Sequence, residues 1–171
     1  MRFRTPCALP RFQPMAAPPF IDLNTLDLSR IIATKEQIYE RLPHRFEFMQ
    51  LDAICHLDLE QMIAVGLREV RSDEFWVRGH IPGRPLLPGV LMIESAAQMA
   101  SYVSQRIRTY DRFLGFGGVD GVKFRGEVAP PAKMYLIEKV VEVRPRRTIC
   151  DAQGFVDGRL VFEARITGMP I

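Results

Sequence analysis

His80 and Glu94 are two side chains capable of acid–base chemistry in a stretch of sequence made largely of turn-forming and apolar residues. An imidazole can remove a proton, and a carboxyl group held among apolar residues can supply one, because burial disfavours its ionised form. A base and an acid of this kind are the groups needed to remove a proton next to a carbonyl and to expel a β-hydroxyl group. The pair therefore indicates acid–base chemistry.

The two side chains stand on segments of different character. Residues 79–89 contain three prolines and three glycines, which exclude regular structure. The following residues up to Val103 contain neither, so Pro88 and Gly89 predict the start of a helix. Helix N-termini carry free N–H groups and a partial positive charge, so Gly89 and Val90 could bind a developing oxyanion.

Simpler interpretations of the two side chains stay open. Glu94 could reach an edge of the domain or pair with an arginine, since structural ion pairs also perturb buried carboxylates. A lone histidine is more often structural than functional. The short, rigid connection from His80 to Glu94, which ends at a helix N-terminus, favours the catalytic interpretation.

The motifs of this region resemble those of a known family. Residues 79–85, 88–91 and 94–98 read GHIPGRP, PGVL and ESAAQ, and they are similar to the motifs of the 3-hydroxyacyl-acyl-carrier-protein dehydratases of bacterial fatty-acid synthesis. The His-to-Glu spacing also matches that family. Residues 42–46, LPHRF, resemble its entry segment, and the similarity extends from about residue 42 to residue 169.

The resemblance implies a hotdog fold, an antiparallel sheet wrapped around one long helix. It implies homodimers in which each active site takes its histidine from one chain and its glutamate from the other, and these dimers often assemble into hexamers. The expected substrate is carried by acyl carrier protein, and the reaction needs no cofactor.

The resemblance also assigns roles to individual residues. His80 would remove the C2 proton, and Glu94 would protonate the leaving hydroxyl group. The backbone N–H of Gly89, with Val90 beside it, would polarise the thioester carbonyl. Gln98, one turn beyond Glu94, would orient the carboxyl group or a water molecule.

Two alternatives to the simple dehydratase remain. In dehydratases that also isomerise the double bond, aspartate usually stands where this chain has Glu94, which disfavours that activity. Residues 114–119 and 122–126 nevertheless resemble the bifunctional relative, so isomerisation stays open. The other alternative is a non-catalytic acyl-thioester-binding hotdog protein, which would keep an acyl tunnel but tolerate loss of the acid or the base.

Composition limits the class of protein. A chain of 171 residues with 47% hydrophobic residues can bury one core, so we expect an N-terminal extension over residues 1–20 and one domain over residues 21–171. The net charge of +3 does not indicate nucleic-acid binding. No apolar run is long enough to span a membrane. Cys7, Cys55 and Cys150 form no metal or disulfide motif, which predicts no metal and favours a cytoplasmic location.

Two further sets of residues are candidates for substrate and partner contacts. The wall of an acyl tunnel is predicted at Phe46, Phe48 and Met49, although packing alone would explain them. Arginines form a candidate rim for an acidic carrier protein, the alternative being ordinary solvated surface. The members of this rim are Arg106, Arg108, Arg112, Arg125, Arg144, Arg146 and Arg147.

The remaining patterns predict an α+β protein with one long buried helix and five or six mainly antiparallel strands. Thr34 begins a capped helix start, and His44 is interpreted as structural. Asp157-Gly158 predicts a hairpin turn. Strands are expected near residues 48–57, 62–70, 75–79, 113–124, 134–143, 148–156 and 160–167.

Overall fold

A seven-stranded antiparallel sheet packs against one long helix in the computed structural model, which describes residues 17–110 and 112–171. The strand order is β1-β2-β3-β5-β6-β7-β4. The predicted α+β class, with a sheet around one helix, is confirmed. The strands are β1 (Ala33–Thr34), β2 (Ala53–Asp58), β3 (Ile63–Val70), β4 (Leu114–Phe124), β5 (Ala132–Arg144), β6 (Arg147–Val156) and β7 (Arg159–Pro170), and the helices are α1 (Lys35–Arg41) and α2 (Gly89–Ile107).

Helix α2 is the centre of the core. It begins at Gly89, directly after Pro88, as the sequence predicts. Ala96, Met99 and Val103 are fully buried against the inner face of the sheet. Burial of a large apolar side chain contributes about 1.5–3 kcal/mol, so this packing fixes the position of the helix and of every polar side chain on it.

Two local signals in the sequence determine the structure around them. Asp157 and Gly158 form the β6–β7 turn with φ angles of 49° and 72°, the left-handed values that a two-residue hairpin turn requires. Thr34 caps α1 by accepting from the backbone N–H of Gln37, and the side-chain oxygen of Gln37 accepts in turn from the Thr34 backbone N–H. Both predictions are confirmed because they depend on residues that are adjacent in sequence.

The predicted strand over residues 75–79 is wrong, because this segment folds as consecutive turns. The backbone N–H groups of Gly79 and His80 donate to the carbonyl of Trp76 over 3.1 and 2.9 Å. The indole Nε1 of Trp76 donates to Glu74 Oε2 over 2.9 Å. These local bonds satisfy the groups that a strand would offer to a neighbouring strand.

An N-terminal segment covers the outer face of the sheet. This face carries the apolar side chains of Ile63, Val65, Ile137 and Phe155, and side chains of residues 20–28 pack on them. Residues 1–16, which contain most of the predicted extension, lie outside the described residues. Residues 20–28 are therefore packed against the sheet as part of the same domain.

Two of the three cysteines lie within the described residues 17–110 and 112–171. Cys55 and Cys150 are buried free cysteines, whereas Cys7 lies outside these ranges. Neither described helix combines the length and the apolar character that a bilayer crossing demands. Within the same ranges, His, Cys, Asp and Glu side chains form no group that could hold a metal ion.

Glu138 is a carboxyl group buried under α2. The residue is fully buried, and neither carboxyl oxygen has a hydrogen-bond partner among the described residues. Its neighbours across the sheet, Ala64 on β3 and Ala152 on β6, leave room for the side chain but offer no donor. Burial, with a smaller contribution from Asp151, raises the pKa of Glu138 well above its ordinary value, so the folded protein keeps it protonated.

Replacing Glu138 with glutamine is expected to stabilise the protein above about pH 4.5, the ordinary pKa of the group. Above that pH, Glu138 ionises in the unfolded chain but not in the folded chain. The free energy of unfolding of wild type therefore falls, relative to that of the variant, by up to about 1.4 kcal/mol per pH unit. Below that pH the two proteins should be equally stable. Denaturant unfolding at several pH values measures the difference.

The exposed carboxylate Glu69 supplies the control for this prediction, since its side chain is 43% exposed. Glu69→Gln should leave the pH dependence of unfolding close to that of wild type. A Glu138→Gln variant whose stability difference from wild type does not change with pH would contradict the protonated, buried state.

Candidate active site

A cavity of about 160 Å³ opens beside the middle of helix α2. Glu94, Gln98 and Ser101 line it along one side of the helix, and residues 113–116 and 166–168 of the sheet form much of the opposite wall. Apolar atoms dominate the wall, and the carboxyl of Glu94 lies at its edge. The cavity therefore suits a ligand with a polar reactive end and an apolar tail.

The carboxyl group of Glu94 has a defined position. The Gln98 side chain donates from Nε2 to Glu94 Oε1 over 2.6 Å, and the same nitrogen donates to the Phe48 carbonyl over 2.7 Å. The Glu94 side chain remains 25% exposed, and its ion-pair partner among the described residues is His44 rather than an arginine. The carboxyl is thus held by a neutral amide and open to the cavity.

Gln98 is itself fixed by groups from two other segments. It is 1% exposed, and its Oε1 accepts hydrogen bonds from the Tyr39 hydroxyl at 2.6 Å and from the Gln50 backbone N–H at 3.2 Å. Burial raises the pKa of Tyr39, so its hydroxyl stays a donor. Because Oε1 is occupied by two donors, the amide nitrogen is the end that faces Glu94.

His44 lies in the cavity, whereas the sequence assigned it a structural role in the entry segment. Its Nε2 is 3.4 Å from Glu94 Oε1, and its ring contacts Phe113 edge-on with centroids 6.4 Å apart. Burial lowers the pKa of His44, although the nearby Glu94 acts in the opposite direction. The family-like LPHRF motif was the sequence signal for this position, but spacing alone did not connect it to Glu94.

His80 lies on the exposed loop before α2 and does not line the cavity. Its Nδ1 is 3.0 Å from the Leu86 carbonyl oxygen. A carbonyl can only accept, so Nδ1 carries a hydrogen, and Nε2 is the ring nitrogen that does not take part in this contact. The loop therefore exposes the imidazole, but a single chain does not bring it into the cavity with Glu94.

The N-terminus of α2 lies against the end of β4. A Cβ atom at Gly89 would be 2.6 Å from the ring of Phe124, so a larger residue here would have to displace that ring. The N–H groups of Gly89 and Val90 have no carbonyl partner within the helix, because they precede its first complete turn. The oxyanion-binding role of these two N–H groups stays a prediction.

The three predicted tunnel residues do not line the cavity beside Glu94 in the single chain. Phe46 and Phe48 are 85% and 54% exposed, and Phe46 and Met49 border a different cleft beside Arg68. Phe48 contributes its carbonyl to Gln98 but no ring to the cavity wall. In the single chain, the apolar wall near Glu94 is made by α2, β4 and β7 instead.

The predicted arginine rim divides into two groups. Arg125 pairs with Glu163, and Arg144 and Arg147 pair with Glu142, so part of their charge is already balanced. The remaining members are exposed: Arg106, Arg108 and Arg112 lie at or just after the end of α2, and Arg146 lies in the β5–β6 turn.

An antiparallel sheet packed around one central helix defines the class of hotdog proteins. The dehydratase heterocomplex ApeI:P from Xenorhabdus doucetiae shares this fold at a TM-score of 0.66 and 16% identity, over 78% of this chain and 90% of that chain. A mutant thioesterase, PA1618 from Pseudomonas aeruginosa, matches at a TM-score of 0.62 and 16% identity, over 83% of this chain and 98% of that chain. These similarities establish the fold alone.

Sequence similarity is more specific. Residues 42–165 match the FabA-like domain. The 3-hydroxyacyl-[acyl-carrier-protein] dehydratase FabZ of Campylobacter jejuni (strain RM1221) is 34% identical, over 78% of this chain and 94% of its own length. The FabZ of Desulfotalea psychrophila is 37% identical, over 75% of this chain and 87% of its own length. The chain belongs to the FabA-like family of 3-hydroxyacyl-acyl-carrier-protein dehydratases.

Proposed function

We propose that the protein dehydrates (3R)-3-hydroxyacyl thioesters on acyl carrier protein to trans-2-enoyl thioesters in fatty-acid synthesis. The observation that carries the proposal is the carboxyl of Glu94, which Gln98 holds at the edge of an apolar cavity. No guanidinium neutralises it among the described residues. A carboxyl in this position can meet the polar end of a substrate whose acyl chain occupies the cavity.

The reaction follows from the groups that the chain provides. His80 Nε2 takes the proton from C2, and the electron pair of that C–H bond forms the C2–C3 double bond. Glu94 in its acid form donates a proton to the 3-hydroxyl group, which leaves as water. The N–H of Gly89, with that of Val90, stabilises the charge that develops on the thioester oxygen. No cofactor enters this scheme.

In a homodimer, the base of one chain would lie close to the acid of the other chain. Strand β4 lies at the edge of the sheet, with Phe116 at the cavity near its start and Phe124 against Gly89 at its end. A two-fold axis would pair this strand with its copy in antiparallel fashion. The cavity of one chain would then face the α2 N-terminus and the His80 loop of the other.

Carrier recognition is assigned to the exposed arginines near the end of α2. Arg106, Arg108 and Arg112 can attract an acidic carrier without first breaking the ion pairs that bind Arg144 and Arg147. Further assembly of the dimer into a hexamer follows from the family resemblance. A cytoplasmic location agrees with the buried free thiols of Cys55 and Cys150.

The test is an assay of the purified protein with 3-hydroxybutyryl and 3-hydroxydecanoyl groups, each offered on acyl carrier protein and on coenzyme A. Mass spectrometry of the products should show loss of water and a trans-2-enoyl thioester, with a preference for the carrier protein. Binding of the thioesters without any enoyl product would favour the non-catalytic acyl-binding alternative and would overturn the proposal.

Isomerisation can be followed on the same substrates if the products are separated by chromatography against authentic standards, because the 2-decenoyl and 3-decenoyl thioesters have the same mass. The glycines of β4 resemble those of the bifunctional dehydratases, whereas Glu94 does not resemble their aspartate. We expect trans-2-decenoyl product without 3-decenoyl product. Accumulation of the 3-decenoyl thioester would identify the enzyme as a dehydratase and isomerase.

His44→Asn distinguishes the two imidazoles near the site. His44 touches Glu94, so its loss should disturb the acid and lower kcat by about tenfold or less, as expected for a contact that only orients. His80→Asn removes the proposed base and should cost far more. The kcat of each folded variant decides the assignment: a greater loss for His44→Asn than for His80→Asn would make His44 the base.

A further inference from the structure

A guanidinium group lies inside the protein, between the two segments that carry the proposed acid and base. Arg68 is 1% exposed and projects from the inner face of β3 towards α2. Its guanidinium donates to the side chains of Gln50, Ser95 and Glu74, which belong to three separate segments. An apolar side chain could fill such a position without the cost of desolvating a charge, so packing alone does not account for the arginine.

One end of the guanidinium contacts the groups that position the acid, Glu94. Arg68 Nη1 donates over 2.9 Å to the hydroxyl of Ser95, the residue that follows Glu94 in α2. The same nitrogen donates to the Gln50 side chain, and the Gln50 backbone N–H donates over 3.2 Å to Gln98 Oε1. The helix turn that bears Glu94 and the amide that holds its carboxyl are therefore both attached to Arg68.

The other end of the guanidinium contacts the turns that precede the base, His80. Arg68 Nη2 donates to Glu74 Oε2 over 2.8 Å, and Trp76 Nε1 donates to the same oxygen over 2.9 Å. The Trp76 carbonyl accepts the backbone N–H of His80 over 2.9 Å. Glu74 thus fixes the turns that lead into the His80 loop, and Arg68 fixes Glu74.

We propose that Arg68 is a positioning residue, which holds the His80 segment and the Glu94 segment at one fixed separation. The inference deepens the proposed dehydratase function and rests on it. In a site shared by two subunits, the two segments that one Arg68 joins belong to different active sites, and each Arg68 then positions the acid of one site and the base of the other. Arg68 itself touches no substrate.

The planar fork of arginine suits this role and lysine does not. A guanidinium directs several donors to separate acceptors in fixed directions, whereas an ammonium group is a single compact charge on a flexible stem. Arg68→Lys keeps the charge that Glu74 requires, so it should fold, but it cannot satisfy Ser95, Gln50 and Glu74 together. The variant thus separates the positioning role from the simple need for a paired charge.

The experiment measures kcat, KM and backbone hydrogen exchange in folded Arg68→Lys, as judged by circular dichroism. A displacement of about 1 Å in a catalytic group can cost on the order of 10²-fold. We expect kcat to fall by about tenfold or more while KM stays within about threefold of wild type. Exchange should accelerate in residues 76–80 and 94–98.

Arg71→Lys is the matched control, because Arg71 is a second arginine near the end of β3 that pairs with Asp52 and Glu69 without contacting α2. It should leave kcat and exchange near the wild-type values. Folded Arg68→Lys with wild-type kcat and wild-type exchange would overturn the proposal. If that variant does not fold, Glu74→Gln replaces it, with accelerated exchange expected in residues 76–80 and unchanged exchange and kcat as the contrary result.

The exchange measurement keeps this inference separate from the dehydratase assignment. If the wild-type protein forms no enoyl product, the proposed function fails. Coupled acceleration in residues 76–80 and 94–98 would still establish that Arg68 connects the two segments. If the wild-type enzyme is active and exchange changes in only one segment, the connection fails while the function stands.

Discussion

Glu94→Gln is expected to lower kcat by about 10²–10⁴-fold, because an amide cannot donate the proton that the leaving hydroxyl group requires. The substitution preserves shape, and the amide oxygen can still accept the hydrogen bond that Gln98 donates to Glu94 Oε1. The loss should therefore appear in kcat rather than in folding. Steady-state kinetics on a 3-hydroxyacyl thioester, with circular dichroism of the variant, measures both.

His80→Asn should cause a loss of similar size, since asparagine can keep the contact with the Leu86 carbonyl but offers no basic nitrogen. Glu127→Gln is the control: Glu127 is an exposed carboxylate that pairs with Arg84 of the same loop, and exposed pairs contribute little. Near-normal turnover in both folded His80 and Glu94 variants would end the proposed mechanism.

Ser101→Phe is expected to change which acyl chains the enzyme accepts. Ser101 lines the cavity beyond Gln98 on α2 and is 6% exposed, so a phenyl ring there would occupy space that a long acyl chain needs. We expect kcat/KM for 3-hydroxydecanoyl thioesters to fall by about tenfold or more, as a steric exclusion costing over about 1.4 kcal/mol would produce. The value for 3-hydroxybutyryl thioesters should stay within about threefold of wild type.

Ser101→Ala is the matched variant, because it removes the same hydroxyl group, which accepts from Gln105 at 3.2 Å, without adding volume. It should keep the wild-type preference between short and long chains. If Ser101→Phe lowers kcat/KM equally for both substrates, or for neither, the acyl chain does not occupy the cavity beside α2.

Features that depend on neighbouring residues were predictable from the sequence. The β6–β7 turn follows from Asp157 and Gly158, which adopt positive φ angles, and the start of α2 follows from Pro88 and Gly89. The family-like motifs around His80 and Glu94 also pointed to the correct family. In each case the signal lies within a few residues of the structure that it determines.

Features that depend on distant contacts were not predictable. Residues 75–79 have the composition of a strand, but Glu74 draws the segment into turns through bonds to Arg68 and Trp76. His44 meets Glu94 only because the folded chain brings the entry segment onto α2. Periodicity describes which face of an element is apolar, and it cannot show which distant side chain will pair with a polar group on that face.

The same non-local character explains why the cavity wall of the single chain could not be derived from the sequence. Aromatic residues near the entry segment, such as Phe46 and Phe48, suggested an apolar wall, but both are exposed. The apolar surface beside Glu94 comes from residues 113–116 and 166–168, which are far away in sequence. How near Phe46 and Phe48 come to an acyl chain in a dimer stays a prediction.

The N-terminal cover of the sheet has a consequence for what counts as a complete domain here. Similarity to the family begins at residue 42, yet Gln153, which is 2% exposed, bonds to both Pro18 and Phe20. A chain that began at residue 42 would expose Val65, Ile137 and Phe155 to water and would leave the Gln153 amide without Pro18 and Phe20 as partners. The family match and the packed structure therefore begin at different residues in this protein.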